Sequence, residues 1–169
     1  MSARNKPVAE ADDRVLTITR VFDAPRELVF KVWSAPEHLA RWWGPRGFTV
    51  LFFEADVRPG GSFRFGIRSP EGTEHWARGI YSEVERPARL VFTTAWEDSE
   101  GKAQHETLVT LSFTEEKGKT RLSFRQALFE SANARDLHEG GWSSTLDLLA
   151  EYLAAMQGGA SPANPARKS

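Results

Sequence analysis

The feature that most constrains this chain is a change in the spacing of its apolar residues after Phe129. Before this point apolar and polar residues alternate, which is typical of strands with one buried face. After it the apolar residues recur every three or four positions, which predicts one helix over residues 131–157. A single long helix after a run of strands has one large apolar surface to cover, so we expect it to lie across the sheet.

The apolar stripe of this helix and its two ends are predicted as follows. The stripe comprises Leu137, Trp142, Thr145, Leu146, Leu149, Tyr152, Leu153 and Met156. Ser131 or Asn133 can cap the first turn, because a short polar side chain accepts a hydrogen bond from the free backbone N–H groups there. Gly158-Gly159 can end the helix in the left-handed conformation that glycine adopts without strain.

Seven strands are predicted before the helix, each bounded by turn-forming residues. They occupy residues 15–22, four segments within 48–96, 107–113 and 120–126. The four central segments are separated by Pro59-Gly60-Gly61, Pro70-Glu71-Gly72 and Glu85-Arg86-Pro87. Short connections of this kind predict hairpins, and therefore an antiparallel sheet.

Two short helices are predicted between the first and second strands. Asp23 can cap the first of them, with Pro25 at its first position, where a missing N–H has no cost. Ser34 and Pro36 give the same start signal for the second helix, and Gly44-Pro45 ends it. The predicted class is therefore α+β, with a folded domain over residues 14–157 and disordered tails at 1–13 and 158–169.

Composition and charge narrow the classes of function. The chain has 40% hydrophobic and 27% charged residues, which is typical of one water-soluble domain. It has neither a secretory signal nor an apolar run of about 20 residues, so we expect a cytoplasmic protein without a membrane span. Its 22 basic and 23 acidic residues are scattered, which argues against nucleic acid as a partner. Six Trp and eleven Phe predict a wide aromatic interior.

Residues typical of catalytic and metal centres are sparse. Cysteine is absent, and the four histidines lack the spacing of a metal site on one helix or strand. His105 and Glu106 are neighbours in a strand and would face opposite sides of the sheet. Ser143 and Ser144 have no glycine elbow and no evident base. We therefore expect no metal or cofactor, and binding rather than catalysis.

Several short motifs in a fixed order give the chain a family resemblance. They are Arg20-Val21-Phe22 with Ala24-Pro25, Trp42-Trp43-Gly44-Pro45, Asp56-Val57-Arg58-Pro59-Gly60-Gly61, Gly79-Ile80-Tyr81, Glu85-Arg86-Pro87-Ala88-Arg89-Leu90 and Gly141-Trp142. Over residues 14–156 the chain resembles the START-like (SRPBCC) superfamily. Within it, the chain is similar to single-domain bacterial members of the Aha-type group, named for a domain of the eukaryotic activator of a heat-shock chaperone ATPase.

This resemblance implies the helix-grip fold, also called Bet v 1-like, in which a seven-stranded curved antiparallel sheet encloses the C-terminal helix. Many relatives have a deep cavity between sheet and helix that binds lipids, polyketides, hormones or other apolar molecules, and the resemblance implies such a cavity here. We therefore expect the protein to bind a small apolar or amphipathic ligand. Whether it forms a homodimer is left open by the sequence.

Two alternatives use the same fold, which by itself does not determine function. One is an interaction module that contacts a chaperone ATPase. The eukaryotic activators carry a further large domain for which we expect no room in this chain. The other is an enzyme of the cyclase or hydrolase kind that works inside the cavity. Gln126 weakens it, because similar sequences often place a His there and an amide does not titrate.

The candidate ligand-binding residues lie on the predicted inner faces of the sheet and helices. They are Trp42, Trp43, Phe65, Trp76, Arg78, Phe92, Trp96, Phe113, Gln126, Trp142 and Leu146. Arg78 either pairs with an anionic head group inside the cavity or turns outward at a bulge near Gly79. Gly140 and Gly141 are unfavourable inside a helix, and we expect a close approach of helix and sheet to explain them.

Overall fold

The computed structural model describes residues 12–158 of the 169-residue chain. Most of the two predicted tails therefore lies outside the described residues. After one turn of 3-10 helix at Asp12–Arg14, the order is β1 (Leu16–Phe22), α1 (Arg26–Ser34), α2 (Pro36–Trp42), β2 (Thr49–Ala55), β3 (Ser62–Arg68), β4 (Glu74–Glu85), β5 (Arg89–Glu97), β6 (Ala103–Glu116), β7 (Lys119–Ala127) and α3 (Ala132–Gly158). Within residues 12–158, no helix has both the length and the apolarity needed to span a membrane.

All seven strands form one antiparallel sheet, in the order β1-β7-β6-β5-β4-β3-β2. β1 and β2 are therefore at opposite edges, and α1 and α2 connect them. The strand pairing is irregular at three places, in β2, β4 and β5. Bulges of this kind bend strands and increase their twist, which helps the sheet curve around α3. The predicted helix-grip fold is confirmed.

The two short helices begin later than their polar residues suggested. Pro25 is the N-cap of α1 and Ala35 is the N-cap of α2, and neither helix has a side-chain cap. The predictions of Asp23 and Ser34 as caps are therefore wrong. The reason is that proline disfavours the helical conformation in the residue before it, so each proline sets the helix start. The Ser34 hydroxyl instead donates to the Phe30 carbonyl oxygen in its own helix, 2.8 Å away.

Of the two alternative caps for α3, the structure has Ser131. Its Oγ accepts a hydrogen bond from the backbone N–H of Ala134 at 3.0 Å. The predicted apolar stripe is confirmed at Thr145, Leu146, Leu149 and Leu153, which are buried together with Leu148. It is wrong at Leu137 and Met156, which are 70% and 39% exposed. Leu137 lies about 100° around the helix from His138, and it is His138 that faces the sheet.

Gly140 and Gly141 are not explained by a close approach of helix and sheet. A Cβ added at Gly140 would meet no atom within 4 Å. One added at Gly141 would meet only Cγ of Pro45, at the ordinary contact distance of 3.8 Å. That expectation was wrong, because α3 at this point lies beside the connection from α2 to β2 rather than against a strand.

Candidate functional site

The space between the sheet and α3 is filled by aromatic side chains. Trp43 lies at the centre of this aromatic core, with the rings of Phe53, Phe65 and Trp142 at centroid distances of 5.3, 5.4 and 5.4 Å. The fully buried Trp33 of α1 stacks on Trp142 at 6.2 Å. Edge-to-face and stacked rings of this kind pack densely and stabilise each other.

Of the sequence-predicted candidates, Trp142 is partly buried in this interior and six others are buried there. These six are Trp42, Trp43, Phe65, Phe92, Phe113 and Leu146. The predicted list missed Trp33, Phe53 and Phe63, which lie among them. Trp33 lies four residues after the buried Val29 in α1, and this helical spacing is the signal that could have found it.

Two small cavities lie among the described residues. The first, the inner cavity, has a volume of about 10 Å³ and is lined by Trp33, Leu39, Trp43, Phe53, Phe63, Tyr81, Leu90 and Phe92. The second, the outer pocket, has about 70 Å³ and is lined by Thr94, Ala95, Trp96, Gln104, His105, Thr107, Phe129, Glu130, Ala134 and His138. Pockets for drug-sized ligands have roughly 300–1,000 Å³. The expected deep cavity is therefore not present as empty space in the described part, because aromatic rings occupy it.

Trp96 and His138 meet at the outer pocket. The indole Nε1 of Trp96 donates to Nε2 of His138 at 3.1 Å. The other ring nitrogen of His138, Nδ1, lies 2.8 Å from the carbonyl oxygen of Ala134. An indole N–H can only donate and a carbonyl oxygen can only accept. His138 in this arrangement is therefore neutral, with its proton on Nδ1.

His105 forms another part of the pocket wall. Its Nε2 donates to the carbonyl oxygen of Leu128, in the connection from β7 to α3. Leu128 has φ 72°, in the left-handed region that residues other than glycine rarely adopt. Because Nε2 is the donor, Nδ1 of neutral His105 is an acceptor. His105 is exposed, and it shares the alternation of Thr107 and Val109, which is the signal that could have placed it on the pocket side of β6.

A hydrogen-bonded chain separates the outer pocket from the aromatic core. Gln126 is 1% exposed, and its Nε2 donates to Oγ1 of Thr107 at 2.8 Å. Its Oε1 accepts from Nε1 of Trp142 at 3.0 Å. Thr107 in turn donates to the carbonyl oxygen of Thr94 at 3.3 Å. Both ends of the Gln126 amide are thus engaged, so this side chain holds α3 against β6 and β7.

Trp76 lies on the convex face of the sheet, outside the aromatic core. It pairs with Gly66, and its ring covers that glycine so closely that a Cβ there would lie 2.6 Å from ring atoms. The Arg64 guanidinium lies over the ring of Trp76, 4.4 Å from its centroid. The prediction that Trp76 lines the concave wall is therefore wrong, because its partner Gly66 faces away from the core between Phe65 and Ile67.

Arg78 also lies on the convex face, where its Nε is 3.4 Å from Oε2 of Glu97. Arg64 binds the same carboxylate through two hydrogen bonds of 2.8 and 2.9 Å. This hydrogen bonding from Arg64 lowers the pKa of Glu97 below its usual value. Of the two alternatives for Arg78, the placement inside a cavity is wrong and the outward one is correct, although no bulge at Gly79 is needed. Simple alternation with the buried Ala77 points it outward.

The match to a sequence family covers most of the chain. Residues 23–154 match the family described as Activator of Hsp90 ATPase homolog 1-like protein. None of the curated proteins matches the chain.

Solved bacterial structures have the same fold over nearly their whole length. A protein from Silicibacter pomeroyi, named AHSA1, is 28% identical with a TM-score of 0.77, over 85% of this chain and 99% of its own. A protein from Chromobacterium violaceum is 26% identical with a TM-score of 0.75, over 83% and 97%. One from Rhizobium leguminosarum is 27% identical with a TM-score of 0.71, over 83% and 94%. With its fold and its sequence in agreement, the chain belongs to the Activator of Hsp90 ATPase homolog 1-like family, a group of the START-like superfamily.

Proposed function

We propose that the protein binds a small amphipathic molecule whose polar group enters the outer pocket. The observation that carries this proposal is the two-sided lining of that pocket. Trp96, Phe129 and Ala134 supply apolar surface, while Thr94, Thr107 and His105 supply hydrogen-bonding groups. A concave, mainly apolar surface with a few converging polar groups is the usual form of a small-molecule site.

The volume of the pocket limits what it accepts without rearrangement. About 70 Å³ is less than half of a 150 Å³ engineered cavity that binds benzene, so it accepts a group of a few heavy atoms. A larger ligand requires Trp96 or the start of α3 to move. Trp96 is 37% exposed, so its ring can move without opening a void in the core.

An unpaired donor in the interior supports a ligand that reaches further in. Nε1 of Trp33 is buried and finds no acceptor among the described residues. A buried donor without a partner costs about 1–3 kcal/mol. The inner cavity, which Trp33 lines, has room for about one water molecule or one oxygen atom of a ligand. A carbonyl or ether oxygen placed there would recover this free energy.

The arrangement supports binding better than catalysis. Both ring nitrogens of His138 are hydrogen-bonded, so it cannot act as a base before its contact with Trp96 is lost. Gln126, which replaces the titratable residue often found at its position, is fully engaged with Thr107 and Trp142. Affinity would come from burying apolar ligand surface at about 25 cal/mol per Å², less the cost of immobilising the ligand.

Two measurements test the proposal. Native mass spectrometry of the full chain purified from its own host should show the mass of a bound ligand. Small amphipathic acids and phenols should displace the dye 1-anilinonaphthalene-8-sulfonate from the protein. Ala134 lines the outer pocket, so Ala134→Trp should fill it and weaken binding at least about tenfold, or about 1.4 kcal/mol. Ala154 is exposed on α3, and Ala154→Trp is the matched control that should bind normally.

Two results would count against the proposal. One is the absence of both a bound mass and any dye displacement. The other is an Ala134→Trp protein that folds normally and binds as tightly as the unmodified chain. An ATPase assay with the cognate chaperone covers the alternative that the family name suggests, and strong stimulation by the full chain would favour an interaction module.

A further inference from the structure

We infer that the first two turns of α3, residues 132–139, form a lid over the outer pocket that is hinged at Gly140-Gly141. A hydrogen bond from Trp96 to neutral His138 holds this lid closed, and protonation of His138 releases it. The lid is inferred for the protein without a ligand. The further claim that its opening admits a ligand rests on the proposed function.

The burial of α3 divides at the two glycines. Every buried side chain of the helix lies beyond them, at Thr145, Leu146, Leu148, Leu149 and Leu153. Within the lid none is buried, and only Ala134, Arg135, His138 and the first residue are even partly covered. Segments with few buried apolar contacts open locally at a lower free energy than the rest of a fold. The lid is therefore held to the sheet less firmly than the remainder of α3.

The hydrogen bonds of α3 divide at the same place. Beyond the glycines, side chains or carbonyls of α3 bind β1, β7, α2 and the connection after α2. The α3 residues in these bonds are Trp142, Ser143, Ser144, Asp147, Glu151 and Tyr152. In the lid, Arg135 pairs only within α3, with Asp136 and Glu139. Among the described residues, the one hydrogen bond from the lid to a strand is that between Trp96 and His138.

When the lid is closed, no close contact requires glycine at positions 140 and 141. A Cβ would fit at Gly140 and at Gly141, yet both positions carry residues that are poor helix formers. Two adjacent glycines lower the free-energy cost of bending or unwinding a helix at that point. Their place, after Glu139 and directly before Trp142, is the boundary between the lightly held and the firmly held parts of α3.

The hydrogen bond between Trp96 and His138, which we call the latch, depends on the charge of the histidine. Protonation places an N–H on Nε2, which then faces the N–H of Trp96 without an acceptor between them. Histidine is the side chain whose charge changes between about pH 5 and pH 8. Protonation of His138 on acidification should therefore open the lid.

Other titratable and charged groups face this latch, and the test must distinguish their effects from that of His138. They are His75 of β4, in ring contact with Trp96, His105 of β6, Glu130 before α3, and Arg135, Asp136 and Glu139 on α3 itself. His105 is the strongest competitor for a pH effect, because it binds the connection that leads into the lid.

Hydrogen–deuterium exchange of the full chain, without ligand, measures the opening. After correction for the intrinsic effect of pH, protection of residues 132–139 should be lower than that of residues 143–153 at any pH. Between about pH 8 and pH 5 it should fall further by about threefold to tenfold, the equilibrium effect of one hydrogen bond. Equal protection along α3, or protection of the lid that does not change with pH, would overturn the inference.

Three variants assign the effect to its residues. Trp96→Phe keeps the ring and removes the donor, so its lid should be weakly protected at both pH values. Trp76→Phe makes the same change on the convex face and should behave as the unmodified chain. His105→Gln keeps a donor for Leu128 and should retain the pH dependence. Its loss in His105→Gln, or its survival in Trp96→Phe, would refute the latch.

Gly140→Ala with Gly141→Ala tests the hinge. The double variant should raise protection of residues 132–139 without lowering the melting temperature, since both added methyl groups have room. Unchanged protection would show that the glycines are not a hinge. If the lid opens with pH but no probe binds in the outer pocket, the proposed function fails and the lid stands, so the two failures are distinguishable.

Discussion

The indole Nε1 of Trp142 donates to Oε1 of Gln126 across 3.0 Å, which ties the middle of α3 to the last strand of the sheet. The same amide donates to Thr107 on the neighbouring strand, so one buried side chain connects three elements. Buried polar groups that are fully hydrogen-bonded are expensive to disrupt, because each partner left behind loses its bond without regaining water. This junction also lies just beyond the glycine pair, where α3 becomes firmly held.

Gln126→Leu should destabilise the protein by about 1–3 kcal/mol, because the N–H of Trp142 would remain buried without an acceptor. Urea denaturation monitored by circular dichroism measures this change. Gln104→Leu makes the same substitution at an exposed strand position and should cost much less. Equal costs for the two variants would mean that the Gln126 bridge does not contribute to stability.

Trp142→Ala should destabilise by about 3–5 kcal/mol, since it removes a ring packed on Trp33, Trp43 and Phe124. Trp142→Phe should cost less, because it retains most of the ring and loses the hydrogen bond. Thermal melting of both proteins provides the measurement, with Trp76→Ala on the convex face as the control. A melting temperature unchanged by Trp142→Ala would contradict the observed packing.

Trp33→Phe and Trp42→Phe form a matched pair of buried substitutions. Trp42 donates its indole N–H to the Val32 carbonyl oxygen at 3.1 Å, whereas the N–H of Trp33 has no acceptor within residues 12–158. Both variants lose similar ring volume, and Trp42→Phe alone loses a hydrogen bond. We expect it to be the more destabilising by about 1 kcal/mol in urea denaturation. Equal losses would indicate that a bound water or ligand satisfies Trp33.

Glu97 should contribute a pH-dependent part of the stability. Its side chain is 3% exposed, and the hydrogen bonds from Arg64 hold its pKa in the folded state below the usual carboxyl value. A depressed folded-state pKa means that the contribution is present above the ordinary carboxyl pKa of about 4.3. It is lost as the pH falls through the folded-state pKa, because the proton then removes the charge that Arg64 binds.

Comparing Glu97→Gln with the unmodified chain checks this sign. The difference in unfolding free energy should be largest near neutral pH and should shrink as the pH falls below about 4. Glu71→Gln, at an exposed turn position, should show no such trend. A difference that grows on acidification would contradict the assignment.

Local patterns were sufficient for most of the architecture. Alternation of polar and apolar residues, with Pro and Gly at the breaks, predicted seven strands because both signals act within a few residues. The bounds were less accurate where the signal was weak. β6 was predicted at residues 107–113 and spans Ala103–Glu116, since its polar ends carry no apolar alternation.

The positions of residues along the chain did not predict which side chains meet at the outer pocket. Trp96 and His138 are 42 residues apart, and no local signal connects them. Register pairs Trp96 with Ala77 and so turns it inward, while the angular position of His138 on α3 brings the two rings together. Trp76 was misplaced because one error of parity in a strand moves every side chain to the other face.

The amino-acid sequence alone established an aromatic-rich helix-grip domain, because periodicity, turn residues and composition are properties of short segments. How far that interior is filled depended on long-range packing. Trp33, Trp43 and Trp142 come from two helices and the residue that follows a third, and their rings interdigitate only once the sheet and α3 have come together. Packing density is a relation among distant side chains, so the outer pocket and its latch emerged only from the folded arrangement.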